Sequence, residues 1–539
     1  MELKADLAVI GGGLGGISAA MAALEAGCTV VLTEATNWLG GQLTSQLVPL
    51  DERLGIERDG ANASYRRLRE RFRAYYRDHF PLTTEARRDP YLNPGRAWVS
   101  PISVEPRVAV ACFEALLRPY VSSGRLRLLM RTEPVAVAVH EDRIDGVRVA
   151  GDGQEWDLVA EFVIDATELG ELLELGGVEH VTGRESQAET GEPSAGSTAD
   201  PTDMQGATWC FAVDHLEGED HTIDRPADYA FWRELRPVQH GGLPLFSFRN
   251  ASAPEGGSSN DWTMAPNRTD DVIDLDHRTP GRIPELWSFR RIASMASFTP
   301  GTYRSDISVI NCPMNDYYLG PLFGVPDADE HRLAAKALSR SFLYWLQTEA
   351  PRPDGGTGWP GLRLRPDVTG TSDGFAAYPY LRESRRIRAL KTIVEQEVSA
   401  KIRAAAGTLR HADSVGVGDY FWIDRHRTSG GGAGGSDIPT PFEIPLRSLV
   451  PQRIRNLLPA AKNIGTTQIT NGCYRLHPVE WSIGEAAGAL AGHCLQQGTE
   501  PHAVAADAAA VTRFQDVLER RGVQLHWDVD QARTVNRVA

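Results

Sequence analysis

Residues 5–44, ADLAVIGGGLGGISAAMAALEAGCTVVLTEATNWLGGQLT, decide the fold. Leu7 to Ile10 is a continuous apolar run, the pattern of a buried parallel strand. Five of the six residues from Gly11 to Gly16 are glycine. Ile17 to Ala26 is rich in alanine, with methionine, leucine and glutamate, and favours helix. A second apolar run, Thr29 to Leu32, leads to Glu34. Strand, glycine turn, helix, strand and acid in that order predict a dinucleotide-binding βαβ unit. Gly11 permits the tight turn, Gly13 lets a pyrophosphate approach the backbone, and Gly16 lets helix pack on strand. The helix N-terminus turns N–H groups and partial positive charge toward the phosphates. Glu34, 18 residues after Gly16, stands where a carboxylate accepts hydrogen bonds from a ribose.

Six residues beyond Glu34 begins GGQLT, Gly40 to Thr44. This extension resembles the FAD fingerprint of the flavoprotein group that includes glutathione reductase and fumarate reductase. The resemblance implies an α/β fold: a Rossmann-type, glutathione-reductase-like FAD-binding domain with an inserted α+β substrate domain. It places Gly11, Gly13, Gly15, Gly16, Glu34, Gly40, Gly41 and Gln42 on FAD. NAD binding by the same segment is the alternative.

Composition sets limits. A chain of 539 residues is too long for one core. Its 42% hydrophobic and 24% charged residues are ordinary for a soluble globular protein. A formal net charge of −15 argues against nucleic acid or an anionic membrane as partner. There is no apolar run of membrane-spanning length and no signal-like N-terminus, so a cytoplasmic protein is expected. The six cysteines lie far apart without a CxxC pair, so neither a redox disulfide nor a metal site is expected.

Along the chain, Ser64 to Asp78 has helical spacing, with its arginines read as a solvated face. Val108 to Val121 reads as helix, followed by strands at Leu126–Met130, Val135–His140 and Ile144–Val149. The resemblance implies that Val135 passes the adenine. The strand Phe162–Ile164 leads into Ala166 and Thr167, a turn that in the resembled group closes over the cofactor; here Glu168 and Leu169 displace the usual glycine. Residues 1–190 and 441–505 are read as the two parts of the FAD domain. Residues 191–440 are read as the substrate domain and 506–539 as a helical tail. GGGAGG at Gly430–Gly435 also fits GxGxxG, but lacks strand before and helix after; a lid hinge is the better reading.

Near the C-terminus, IRNLLPAA reads as a strand returning to the FAD domain, NIGTTQITNGCYRLHP as a polar loop, and Val479 to Cys494 as a helix opened by Pro478. The pattern CYRLHP–EW–IGEAAG resembles the flavin-contacting helix of a family of bacterial FAD-dependent oxidoreductases. The resemblance implies that Arg475, His477 and Glu480 sit near the isoalloxazine, where a helix N-terminus stabilises negative charge at the flavin N1–C2=O edge. Tyr378 to Lys391 (YPYLRESRRIRALK) places Arg382, Arg385 and Arg386, with Glu383, on about one and a half helical turns, a pile suited to a carboxylate or phosphate; a structural Arg–Glu network between domains is the alternative. Arg382, Arg385, Asn315 and Tyr317 are substrate-site candidates; His477, His426 and Tyr420 are catalytic candidates.

The function expected is an FAD-dependent dehydrogenase or oxidase. It would take a hydride from a small substrate, an alcohol or amine, with His477 or His426 as base and O2 or another electron acceptor reoxidising the flavin. The alternatives are an NAD(P)H-driven flavin monooxygenase or reductase and an FAD-bound scaffold without turnover.

Overall fold

A computed structural model describes residues 1–249, 261–268, 285–425, 428–431 and 435–528. The glycine-rich unit forms as its pattern predicts. Strand β1 (Glu2–Ile10) turns through Gly11 to Gly13 into helix α1 (Leu14–Glu25), and the chain returns as β2 (Val30–Glu34). The last four residues of β1 and all of β2 are buried, which is why both read as unbroken apolar runs. The strands β3 (Leu126–Met130), β4 (Glu133–His140), β5 (Arg143–Gly151) and β6 (Gln154–Asp165) complete the order β3-β2-β1-β6-β5-β4. The β1–β2, β1–β6 and β2–β3 pairs are parallel, whereas β4–β5 and β5–β6 are antiparallel. The returning segment is β7 (Leu457–Pro459), parallel to the end of β6, with Leu457 opposite Val163. The sheet is therefore mixed, and its parallel core carries the nucleotide unit.

Helix α2 (Ala63–His79) covers this unit. Its solvated-face reading holds for Arg67 and Arg71, which are exposed, and fails for Arg69 and Arg73, which are buried. Arg69 Nε donates to Glu52 at 3.0 Å and its other nitrogens reach Glu57, which also accepts from Arg73. These two arginines fall on the apolar side of the helix and tie down residues 51–57.

A second, antiparallel sheet joins Arg291–Ala293, Ile307–Ile310, Phe211–His215 and Leu362–Leu364 in that order. Cys210, Ala212, Ile307 and Val309 belong to the same apolar cluster as α1, whereas Phe211, Val213 and Ile310 join an aromatic cluster with Phe342 and Trp345 of the helix Ala328–Thr348. Alternation along the strands thus glues this sheet to the glycine-rich unit on one side and caps it on the other.

Two local expectations need correction. Tyr378 to Lys391 is not a helix: Arg386–Ile387 pairs antiparallel with His180–Val181, and Tyr380 bridges Thr208. Its arginines are satisfied by separate distant elements, so helical spacing carried no information there. The polar loop before Pro478 contains a helix, Gln468–Tyr474, capped by Thr467, whose hydroxyl accepts from Thr470 N at 3.2 Å.

The C-terminal helix α3 runs His477–Gln497, and every residue from His477 to Cys494 is buried. Its small residues explain how. A Cβ on Gly484 would lie 2.0 Å from the Gly15 carbonyl oxygen, and one on Gly488 2.1 Å from that of Ala19. Helices α1 and α3 therefore cross backbone to backbone, and the N-terminus of α3 is delivered beside the glycine loop.

Candidate functional site: a dinucleotide cleft and the buried polar cluster behind it

The glycines divide into two kinds. A Cβ on Gly11 (φ +105°) would lie 2.2 Å from the Ala166 oxygen, on Gly15 1.6 Å from that of Ala460, and on Gly16 1.9 Å from that of Gly11. These three are demanded by the chain's own packing. Gly13 differs: a Cβ there would meet only carboxylate oxygens, Glu480 at 3.3 Å and Glu168 at 3.5 Å. Its Cα faces a cleft of about 520 Å³ lined by Gly11, Gly13, Glu34, Gly41, Ala166 and Thr167 among others. This cradle fits a pyrophosphate, which needs bare backbone at the helix N-terminus.

Glu34 is buried, and burial pushes its carboxyl up to about 7, against the pull of its hydrogen-bond donors. Gly12 N donates to one oxygen at 3.1 Å; Thr36 N, at 2.7 Å, and Thr36 Oγ1, at 2.6 Å, donate to the other. The acid that the sequence assigns to the ribose thus also locks the glycine turn. Gly40 (φ +113°) and Gly41 (φ +49°) bend the next loop back, with Gly40 N donating to the Gly12 oxygen at 2.8 Å. Gln42 Nε2 bonds Glu480, and Gly15 N donates to Glu480 at 3.2 Å. Past Glu34 and Thr36 the cleft is lined by Thr132, Glu133 and Pro134; Val135, which the resemblance sets beside the adenine, is 46% exposed and is not part of the lining.

Gln46 was not anticipated. It lines the cleft, has no exposed surface, and neither amide atom has a hydrogen-bond partner among the described residues. Buried amides are otherwise satisfied, so this one awaits a polar ligand. It lies two residues past the GGQLT extension, and only that proximity could have signalled it.

Behind the cleft lies a polar cluster. His477 Nδ1 accepts from Asp51 N at 3.0 Å, and Arg290 donates to Asp51 Oδ1 at 3.1 Å. Arg475 donates to the Tyr380 hydroxyl and, at 2.9 Å, to Asp424. The Arg382 guanidinium stacks 4.7 Å from the Tyr380 ring centre and donates to Asp316 at 3.0 Å. Tyr420 adjoins the same charges: burial, then Asp51 and Asp424, raise its hydroxyl well above its ordinary value. Burial drives the His477 imidazole down to about 4, with Asp51 opposing and Arg290 assisting. Arg290 Nε, Arg382 Nε and Arg475 Nε are buried without partners among the described residues, and the His477 ring interacts with the Val48 backbone. Asp51, Arg290 and Tyr380 escaped the sequence reading because they come from three segments joined only by the fold.

Other candidates are placed elsewhere. Arg385 donates to the Leu169 carbonyl at 3.0 Å and pairs with Glu174. Asn315 staples its own loop, accepting from Cys312 N at 2.9 Å and donating to Ser339, and the Tyr317 hydroxyl bonds His331 Nδ1 at 2.6 Å. These contacts give Asn315 and Tyr317 structural work in the second sheet's surroundings. His426 and half of the GGGAGG segment, residues 432–434, lie outside the described residues, as does the end of the expected C-terminal tail. Among the described residues there is no grouping fit to hold a metal ion, and no helix is long and apolar enough to cross a membrane.

The cleft, the acid on β2 and the buried helix aimed beside them define a flavin–dinucleotide protein. The family model "FAD dependent oxidoreductase" matches residues 6–518, so the chain belongs to that family: it is an FAD-dependent oxidoreductase, and FAD is its cofactor. No curated protein matches it. Among solved structures it is similar to a geranylgeranyl bacteriochlorophyll reductase-like protein of Thermoplasma acidophilum, at 10% identity over 100% of this chain and 88% of that one, TM-score 0.33. It is also similar to the L-proline dehydrogenase of P. horikoshii, at 17% identity over 34% of this chain and 24% of that one, TM-score 0.18. The myxobacterial chondrochloren halogenase matches at 18% identity over 41% of this chain and 45% of that one, TM-score 0.22.

Proposed function

We propose that the protein is a dehydrogenase or oxidase acting on a small alcohol or amine, bound in the polar cluster at the N-terminus of α3. The observation that carries this reading is the set of partnerless buried guanidinium atoms of Arg290, Arg382 and Arg475 around Tyr380, together with His477, one helical turn before the Glu480 that meets the glycine loop. A purely structural cluster would satisfy its own donors. Bound FAD supplies the two-electron acceptor. It would take the hydride of the substrate carbon, and the chain's own part would be to accept the proton of the adjacent O–H or N–H, so that a carbonyl or imine leaves.

The hydrogen bond from Asp51 N fixes the tautomer of His477: Nδ1 accepts, so the ring proton sits on Nε2. A neutral imidazole held this way is a donor at Nε2, which in the chain itself interacts with the Val48 backbone. This reading moves His477 from general base to donor, directed at flavin or substrate oxygen. Asp51, oriented by Arg290, is then the nearest carboxylate suited to take the substrate proton. Arg475 bonds the Tyr380 hydroxyl and the Arg382 guanidinium lies over its ring, which keeps the cluster polar.

Anaerobic mixing of the FAD-loaded enzyme with panels of alcohols and amines, and separately with NADPH, tests this. Bleaching of the flavin band by an alcohol or amine is expected. Bleaching by NADPH alone would make the protein a reductase or monooxygenase, and bleaching by neither would fit the scaffold.

A further inference from the structure

Four glutamates line the dinucleotide cleft, Glu34, Glu133, Glu168 and Glu171, and among the described residues no lysine, arginine or histidine does. A dianionic pyrophosphate entering it meets charge of its own sign. The α1 N-terminus offers N–H donors and only about half a positive charge. Compensation has to come from the next layer of side chains.

That layer contains Lys462, on the turn after β7. It is 1% exposed and its ammonium bonds the Glu168 carboxylate. Burial opposes its charge, but Glu168 and Glu480 outweigh burial and hold its pKa above the ordinary value. Glu480 comes from α3 and Glu168 from the turn after β6, yet both carboxylates flank Gly13, within 3.3 and 3.5 Å of where its Cβ would be. Glu168 Oε1 also lies 2.6 Å from the Cβ position of Gly41, on the facing loop. Two carboxylates and one ammonium therefore converge where the pyrophosphate approaches bare backbone. Burial and the neighbouring Glu168 charge raise the Glu480 carboxyl, while Lys462 opposes. The other cation nearby, Arg385, is committed to Glu174 and acts on Glu171.

We propose that Lys462 is the counter-charge of the FAD pyrophosphate, and that Glu480, facing the Glu168 carboxylate across Gly13, takes up one proton as the pyrophosphate binds. This rests on the pyrophosphate lying at the glycine loop. Ribose hydroxyls donating to Glu34 favour its ionised form and give proton release. Glu171 accepts from Leu169 N, and Glu133 lines the cleft beside Pro134. Asp165 accepts from Thr167 N and Oγ1 on one oxygen only, and burial raises its carboxyl to about 7, so Asp165→Asn is the control, expected to keep the pH dependence that Glu480→Gln flattens.

The test is calorimetric titration of the full-length, flavin-stripped chain with FAD between pH 6 and 9, in two buffers of different ionisation heat. Near pH 8, uptake approaching one proton is expected, with the association constant rising up to tenfold per pH unit as pH falls. Glu480→Gln should flatten that dependence, whereas Glu34→Gln should not. Lys462→Met should weaken FAD at least tenfold, with Lys462→Arg restoring most of the loss. Because Lys462→Met bares Glu168, the double variant Lys462→Met/Glu168→Gln is compared with Glu168→Gln alone, and should bind more weakly. Proton release or pH-independent binding by the wild type, or a double variant as tight as Glu168→Gln, overturns the proposal. Gly13→Val tells the two failures apart: if it binds FAD normally, the pyrophosphate is not at the loop and the inference falls with that placement.

Discussion

His477→Asn separates the donor role of this residue from the base role that its place in the sequence suggests. Asparagine Oδ1 can still accept from Asp51 N, but the side chain cannot titrate. In the folded chain burial holds the imidazole near 4, whereas an unfolded histidine titrates near 6.5. The unfolded chain therefore binds more protons between those values, and the wild type loses stability as pH falls through 6.5 toward 4. At pH 5 that loss is about 2 kcal/mol relative to pH 7, since each tenfold difference in proton affinity is worth about 1.36 kcal/mol. The variant escapes it. With FAD saturating throughout, urea denaturation should show His477→Asn less stable than wild type by about 1–3 kcal/mol at pH 7, for the lost ring volume. The gap should shrink by about 2 kcal/mol at pH 5. Flavin reduction should fall by no more than roughly tenfold, the loss of one hydrogen bond. A constant stability gap across pH would refute the buried neutral ring. A reduction rate cut by about 10²–10⁴ would refute the donor and restore the base.

Glu34→Ala should weaken FAD by about 1.5–3 kcal/mol in a titration of flavin-stripped protein. It should also lower the melting temperature, since Gly12 N and both Thr36 donors lose their acceptor. Gln46→Leu should weaken FAD by about 1–2 kcal/mol while leaving the fold as stable or more stable, because it removes partnerless buried atoms; unchanged affinity would mean Gln46 does not face the cofactor. Asp51→Asn should slow flavin reduction by about 10²–10⁴ at saturating substrate if the carboxylate takes the substrate proton. A wild-type rate would move the acceptor to Asp424 or solvent.

The nucleotide unit was legible because its constraints are local. A strand buried on both faces has to be apolar throughout, and a turn at which an added Cβ would lie 2.2 Å from another backbone oxygen has to be glycine. The α3 reading succeeded likewise, since Gly484 and Gly488 advertise a close helix crossing. The Arg382–Arg386 segment misled because i, i+3 and i, i+4 spacing is a helix signal only when the neighbours lie on that helix. Here Arg382 answers Asp316 and Arg386 answers Glu185, partners remote in the sequence. Thr467 and Thr470 did carry a capping signal for the helix misread as loop. Nothing local could mark Lys462 or Arg290, whose roles arise only from what the fold sets opposite them.

The central claim is that the glycine loop holds FAD in this chain, and flavin analysis of the purified protein tests it most directly. Heat-denatured wild type should release one FAD per chain on chromatography, and Gly13→Val, whose side chain enters the pyrophosphate cradle, should be folded by circular dichroism and colourless. FMN, no flavin from folded wild type, or a full complement of FAD in Gly13→Val would contradict it.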